Sequence, residues 1–134
     1  MKILYGKSSD IPDFWLVMGP IFADRSVAKE LGDNIWDNGK IIWILGVEDS
    51  GILLGFCCVE DMKNRCLFRH SYVVSSRRGM GYFRWIEQFR DDLVDRIFSE
   101  KIKETVVKTK YEERMIKRGW ELAYRRGSWS VMRK

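Results

Sequence analysis

Around Ser75–Gly81 the chain changes its hydrophobic rhythm, and that change limits the fold more than anything else in the sequence. Before it come three strand-like segments. Lys40–Glu48 is apolar and β-branched, Asp49-Ser50-Gly51 is a hairpin turn, and Ile52–Glu60 returns. Asp61–Asn64 turns the chain again into Cys66–Val74. After the change, Tyr82, Ile86, Phe89, Leu93 and Ile97 recur at spacings of 4, 3, 4 and 4, the stripe of an amphipathic helix. Three sequential strands make an antiparallel meander with an apolar face, and the helix packs on it.

The flanks fill in around this centre. Asp10-Ile11-Pro12-Asp13 reads as a helix start with Asp10 as cap, and Phe14, Val17, Met18 and Ile21 follow at helical spacing. Gly19-Pro20 is expected to weaken or end that helix. A second helix is expected over Arg25–Leu31, closed by Gly32. Downstream, Glu104–Lys108 reads as a strand and Tyr111–Arg118 as a short helix ended by Gly119. Trp120–Tyr124 and Ser128–Met132 read as a hairpin about Arg125-Arg126-Gly127. The expected order is ααβββαβαββ, an α+β fold with a mixed, mostly antiparallel sheet flanked by helices. With 134 residues the chain builds one core, so residues 1–134 are read as a single domain.

Composition narrows the function classes. Apolar residues at 46% beside charged residues at 32% exclude a disordered chain. No apolar run approaches the ~20 residues of a membrane span, and Met1–Gly6 carries no leader pattern, so a cytoplasmic protein away from membranes is expected. Cys57, Cys58 and Cys66 form no CxxC pair, and His70 is the single histidine. No metal site is therefore expected, and the cysteines read as reduced, buried thiols. Charge is unevenly spread. Residues 1–62 hold 5 Lys/Arg against 10 Asp/Glu, whereas residues 63–134 hold 19 against 9. The C-terminal half suits phosphate-bearing partners.

The turn itself suggests which phosphates. A strand that passes through Arg77-Arg78-Gly79-Met80-Gly81 directly into a helix presents unpaired N–H groups and the positive end of the helix dipole. The glycines allow close backbone approach, and the two arginines can clamp phosphate oxygens. No Gly-Lys-Ser/Thr follows, which excludes a P-loop. Arg84 stands where a dinucleotide fingerprint needs its third glycine, and the preceding strands are antiparallel.

With these residues in view, the chain resembles the GNAT superfamily of N-acetyltransferases. Their acyl-CoA motif has the form Arg-x-x-Gly-x-Gly/Ala, and Arg78-Gly79-Met80-Gly81-Tyr82-Phe83 fits it with Arg78 and Gly81 in register. Tyr72-Val73-Val74 is similar to the strand whose backbone pairs with the pantetheine arm. Gly46–Phe56 resembles the hairpin of the second and third strands, and Lys117-Arg118-Gly119-Trp120-Glu121 the terminal Lys-x-Gly-Phe segment. The resemblance implies acetyl-CoA as acyl donor, held by Tyr72, Val73, Val74, Arg77, Arg78, Gly79, Met80, Gly81, Tyr82 and Phe83. It allows a homodimer. Two positions depart from the pattern. Phe83 replaces the final Gly/Ala, and Met115 replaces the tyrosine that protonates the leaving thiolate in many members.

Aminolysis of a thioester needs a neutral amine, stabilisation of the oxyanion and protonation of a thiolate. A backbone N–H at Val73 or Val74 is the candidate oxyanion donor. His70, on the face shared with Tyr72, is the candidate base, with Glu60 as second; Tyr111 is the candidate acid in place of Met115. The acidic N-terminal segments at Phe22–Asp24 and Asp33–Asn38 point to a cationic acceptor: a protein lysine, a polyamine or a small-molecule amine. Two other readings stand beside this one. Arg69, Arg84, Arg90, Arg114, Lys117, Arg118, Arg125 and Arg126, interleaved with Trp85, Tyr111 and Trp129, could track nucleic acid, as expected if the chain is like the GNAT-like Mom proteins of bacteriophages. The missing tyrosine also fits a non-catalytic CoA-binding module.

Overall fold

A computed structural model describes residues 1–134. A seven-stranded sheet runs through it, with strands β1 (Lys2–Gly6), β2 (Ile41–Val47), β3 (Leu53–Asp61), β4 (Arg65–Val73), β5 (Ile102–Lys108), β6 (Glu121–Arg126) and β7 (Trp129–Arg133). Helices α1 (Phe14–Ala23) and α2 (Arg25–Leu31) lie between β1 and β2; α3 (Tyr82–Ile97) follows β4, and α4 (Glu112–Lys117) follows β5. The spatial order is β1-β2-β3-β4-β5-β7-β6, antiparallel throughout except for the parallel pair β4–β5. No helix is long and apolar enough to cross a membrane.

The ten expected elements are present, and an eleventh, β1, precedes them. Its five residues pair with β2 from Lys2↔Val47 to Gly6↔Trp43 and close one sheet edge. The first helix differs in detail. Asp10 belongs to a 3-10 turn, where its carboxylate accepts the Lys7 N–H, and α1 begins only after Asp13 in a left-handed conformation (φ 58°). Pro20 does not end α1, which continues to Ala23. Pro20 is exposed, and the carbonyl that loses its helical donor belongs to Leu16, itself exposed, so no buried acceptor is orphaned. Asp24 then caps α2 by accepting the Ser26 N–H at 2.9 Å, and Gly32 ends it at φ 76°.

The core has two faces because the central strands are covered on both sides. Toward α1 and α2, Phe14, Met18 and Val27 pack on Ile41, Trp43, Leu45, Phe56 and Cys58. Toward α3, Ile86 packs on Ile44 and Cys57, while Val94 packs on Val59, Cys66 and Phe68. Each fully buried large side chain of this set contributes about 1.5–3 kcal/mol. Cys57 and Cys58 thus face opposite layers, and all three thiols are free and buried. Burial pushes the Cys58 thiol up to about 12. Two glycines set the distance of α3. Gly46 and Gly55 pair across β2 and β3 beneath Ile86; a Cβ on Gly46 would meet the Ile86 side chain at 2.8 Å, and one on Gly55 the Tyr72 carbonyl at 2.6 Å.

Candidate active site

Two irregularities in β4 build the site. The first is a bulge. Cys57 pairs with Ser71 but Val59 pairs with Phe68, so Arg69 and His70 together oppose the single residue Cys58. Cys66 and Phe68 face α3, and strict alternation would send His70 there too. The extra residue returns it to the opposite face, with Arg69 beside it, while Ser71 faces α3 and meets Glu87 and Arg90.

The second irregularity is a splay. Parallel pairing of β4 with β5 runs from Arg65↔Ile102 to Phe68↔Thr105 and stops. The Thr105 hydroxyl donates to the Phe68 carbonyl at 3.3 Å at the point of separation. Beyond it β5 pairs only with β7, and β4 only with β3. Because Val74 N–H donates to Leu54 O at 2.9 Å and Gly55 opposes Val73, the backbone groups of Val73 turn away from β3, into the opening. Val73 N–H therefore faces the cleft, whereas Val74 N–H is occupied.

At the end of the splay the chain turns through Ser75–Gly81 into α3. Gly79 and Gly81 adopt φ 79° and 86°, a region that favours glycine, and nothing lies within 4 Å of where their side chains would stand. None of the six consecutive N–H groups from Gly79 to Arg84 meets a protein acceptor; the first to bond is Trp85 N–H, to Gly81 O at 3.3 Å. Six unpaired donors leading into the N-terminus of a 16-residue helix make an anion cradle. A cleft of about 410 Å³ opens against it, lined by Glu30, Leu31, Ser71, Tyr72, Val73, Arg77, Arg78, Gly79, Gly81, Tyr82 and Phe83. Eight of the ten residues expected to hold the donor line this cleft. Val74 and Met80 do not, and Met80 projects into solvent.

Neither arginine of the turn stands free. Arg77 is ion-paired with Glu48 of the β2–β3 turn. Arg78 grips Glu30 of α2 through both terminal nitrogens (2.7 and 2.9 Å), donates its Nε to Val73 O at 3.0 Å and stacks over Tyr72. The sequence shows the cations but not these partners.

The remaining candidates divide between two places. His70 lies on the α1/α2 face, where its Nε2 is buried without a hydrogen-bond partner. Burial holds the imidazole below its ordinary value, opposed by nearby Asp33, so it is neutral at pH 7 and able to accept a proton. Glu60 is on the same face, buried, but is engaged: Arg69 donates to it at 2.8 and 2.5 Å and Asn38 at 3.1 Å. Arg69 in turn stacks over Trp36 at 4.9 Å. Tyr111 is elsewhere. It borders a groove along α4 with Lys110, Glu113, Arg114 and Lys117, and lines no part of the cleft. Met115 packs against the core cluster around Phe68 and Trp120 and offers no acid.

Several expected surface groups are otherwise employed. Arg90 is buried under α3, stacked on Phe68 at 4.3 Å and bonded to Ser71, Glu87 and Asp91, so it belongs to no exposed basic track. Asp37 accepts from Ser8 and Trp43, and Asp24 caps α2, leaving Asp33 as the less engaged acid of the acceptor side. No group of three His, Cys, Asp or Glu is placed to hold a metal ion.

No protein-family model and no curated protein matches this sequence. Solved structures do match. ElaA of Escherichia coli superposes over 100% of this chain and 99% of its own, with a TM-score of 0.77 at 11% identity. An acyl-CoA N-acyltransferase from Pseudomonas aeruginosa matches over 99% and 98%, with a TM-score of 0.77 at 12% identity. The PaiA N-acetyltransferase of Thermoplasma acidophilum, solved in complex with coenzyme A, matches over 100% and 99%, with a TM-score of 0.60 at 12% identity. At such identities the likeness is one of fold. That fold is the one GNAT acetyltransferases share, as the sequence motifs led us to expect.

Proposed function

We propose that this protein transfers the acetyl group of acetyl-CoA to an amine by direct attack in a ternary complex. The observation that carries the reading is the splay of β4 from β5, ending on six unpaired N–H groups. The cradle takes the diphosphate, and the free edge of β4 offers the pantetheine amides the strand partner that β5 withholds. The thioester then lies beside Val73, whose N–H meets the oxyanion.

The acceptor approaches from the α1/α2 face. Its nitrogen attacks the thioester carbon, the C–S bond breaks, and the coenzyme leaves as thiolate. His70 receives the amine proton, directly or through a water on its unpartnered Nε2. Glu60 acts as a positioning group, holding Arg69 over Trp36 at the acceptor mouth. With Met115 in the core and Tyr111 on the α4 groove, water protonates the thiolate. The acceptor is a lysine, a polyamine or another small amine.

A thermal-shift titration with acetyl-CoA and CoA tests donor binding. At 100 times its dissociation constant a ligand stabilises the fold by ~2.7 kcal/mol, a shift of several degrees for a domain of this size. No shift with either compound removes the proposal. Release of free thiol from acetyl-CoA on adding spermidine or a lysine peptide tests the transfer itself.

A further inference from the structure

Nearly half the cations of the basic half are already neutralised. Nine of its nineteen Lys/Arg side chains form ion pairs with acidic partners. Of the ten unpaired ones, five are concentrated: Lys108, Lys110, Arg114, Lys117 and Arg118 fall within one eleven-residue stretch at the end of β5 and along α4. The acids in that stretch do little to offset them. Glu112 is buried and committed to Arg125 and Ser130, which leaves only Glu113.

This unneutralised charge has a shape. Lys110, Arg114 and Lys117, with Glu113, line a groove of about 520 Å³. Lys110 and Arg114 stand over the Tyr111 ring at 5.1 and 5.5 Å, which holds both cations at the groove wall. Three exposed cations against one carboxylate attract a multiply charged anion such as a phosphate monoester.

Its position relates it to the cleft. β4 and β5 are parallel, so their C-terminal ends open on the same side of the sheet, where ligands of such sheets bind. The N–H cradle follows β4, and the α4 groove follows β5. They flank the opening of the splay. A donor whose diphosphate rests on the cradle and whose thioester lies in the splay has its nucleotide outside the cleft, with one further phosphate unheld.

We propose that the α4 groove, through Lys110, Arg114 and Lys117, binds the ribose 3′-phosphate of the coenzyme A donor. The inference rests on the donor-site reading given above. The test is calorimetric titration of the full chain with CoA and with 3′-dephospho-CoA, for wild type and for Lys110→Ala/Arg114→Ala, with a short DNA duplex as a third titrant. Both side chains are exposed, and an unchanged melting curve confirms that the variant is folded. Wild type is expected to bind CoA about tenfold tighter than dephospho-CoA. The variant is expected to lose that preference while keeping its affinity for dephospho-CoA. Equal affinities in wild type, or a preference that survives in the variant, overturn the inference and leave the donor site standing. If neither nucleotide binds, both readings fall. If duplex DNA binds wild type but not the variant, without preference between the nucleotides, the groove is a nucleic-acid surface instead.

Discussion

Glu30 is the residue whose replacement should improve donor binding. Its carboxylate takes both terminal nitrogens of Arg78, at 2.7 and 2.9 Å, and so competes with any phosphate for that guanidinium. The two side chains are 44% and 46% exposed, which places the pair among surface ion pairs worth about 0–1 kcal/mol, with bidentate contact favouring the upper end. Arg78 does not depend on Glu30 for its place, because Nε is anchored on Val73 O and the guanidinium lies over Tyr72. Glu30→Gln should therefore release a cation already aimed at the cleft and tighten CoA binding by up to about fivefold at low salt. The gain should shrink as ionic strength rises. Calorimetric titration of the single variants and of Glu30→Gln/Arg78→Gln separates competition from simple repulsion between Glu30 and phosphate. In the Arg78→Gln background, removing Glu30 should have no further effect. Weaker CoA binding by Glu30→Gln, or an equal gain with Arg78 absent, would refute the reasoning.

Other consequences are as direct. Gly55→Ala would place a Cβ 2.6 Å from the Tyr72 carbonyl, forcing β3 and β4 apart, and should cost about 1–3 kcal/mol in chemical denaturation. Glu112 is held down at about 2, first by Arg125 and then by Ser130, against an ordinary value of 4.5. A depressed carboxylate stabilises the fold above its unfolded pKa, and that contribution disappears as pH falls from 4.5 toward 2. Glu112→Gln should therefore lower stability at pH 7 and narrow the difference between pH 7 and pH 3 in urea unfolding. His70→Ala should reduce kcat far more than CoA affinity. With the imidazole pKa below 6.5, wild-type kcat/KM should rise through a pKa below 6.5 and level off above it, and the variant should lack that limb.

The sequence made the centre of the fold readable because its signals there are local. Hairpin turns at Asp49–Gly51 and Asp61–Asn64 fix β2–β4, and the 4-3-4-4 stripe fixes α3. The cradle was legible for the same reason: both glycines and the helix start lie within a few residues. What escaped depends on distant partners. β1 is five residues whose status as a strand comes from pairing with β2 some forty positions on. The bulge at Arg69–His70 shows only in the register with β3. Arg77 and Arg78 look like free clamps until Glu48 and Glu30 are brought to them, and Arg90 looks like a surface charge until α3 turns it under the sheet. His70 stands out in the sequence as the one histidine, but the inserted residue that turns it to the α1/α2 face leaves no mark in the composition.

The parting of β4 from β5 bears on solubility as well as on chemistry. A row of unsatisfied strand groups at the rim of a sheet is a template for other chains, and natural proteins shorten, charge or cover such rims. Here the unsatisfied row is internal, with β5 across the gap and the turn into α3 at its end. With β5 on its far side, that row is less open to a neighbouring protein's strand than an outer edge would be. An unpaired strand edge is thus kept inside the sheet, away from the rim where aggregation starts.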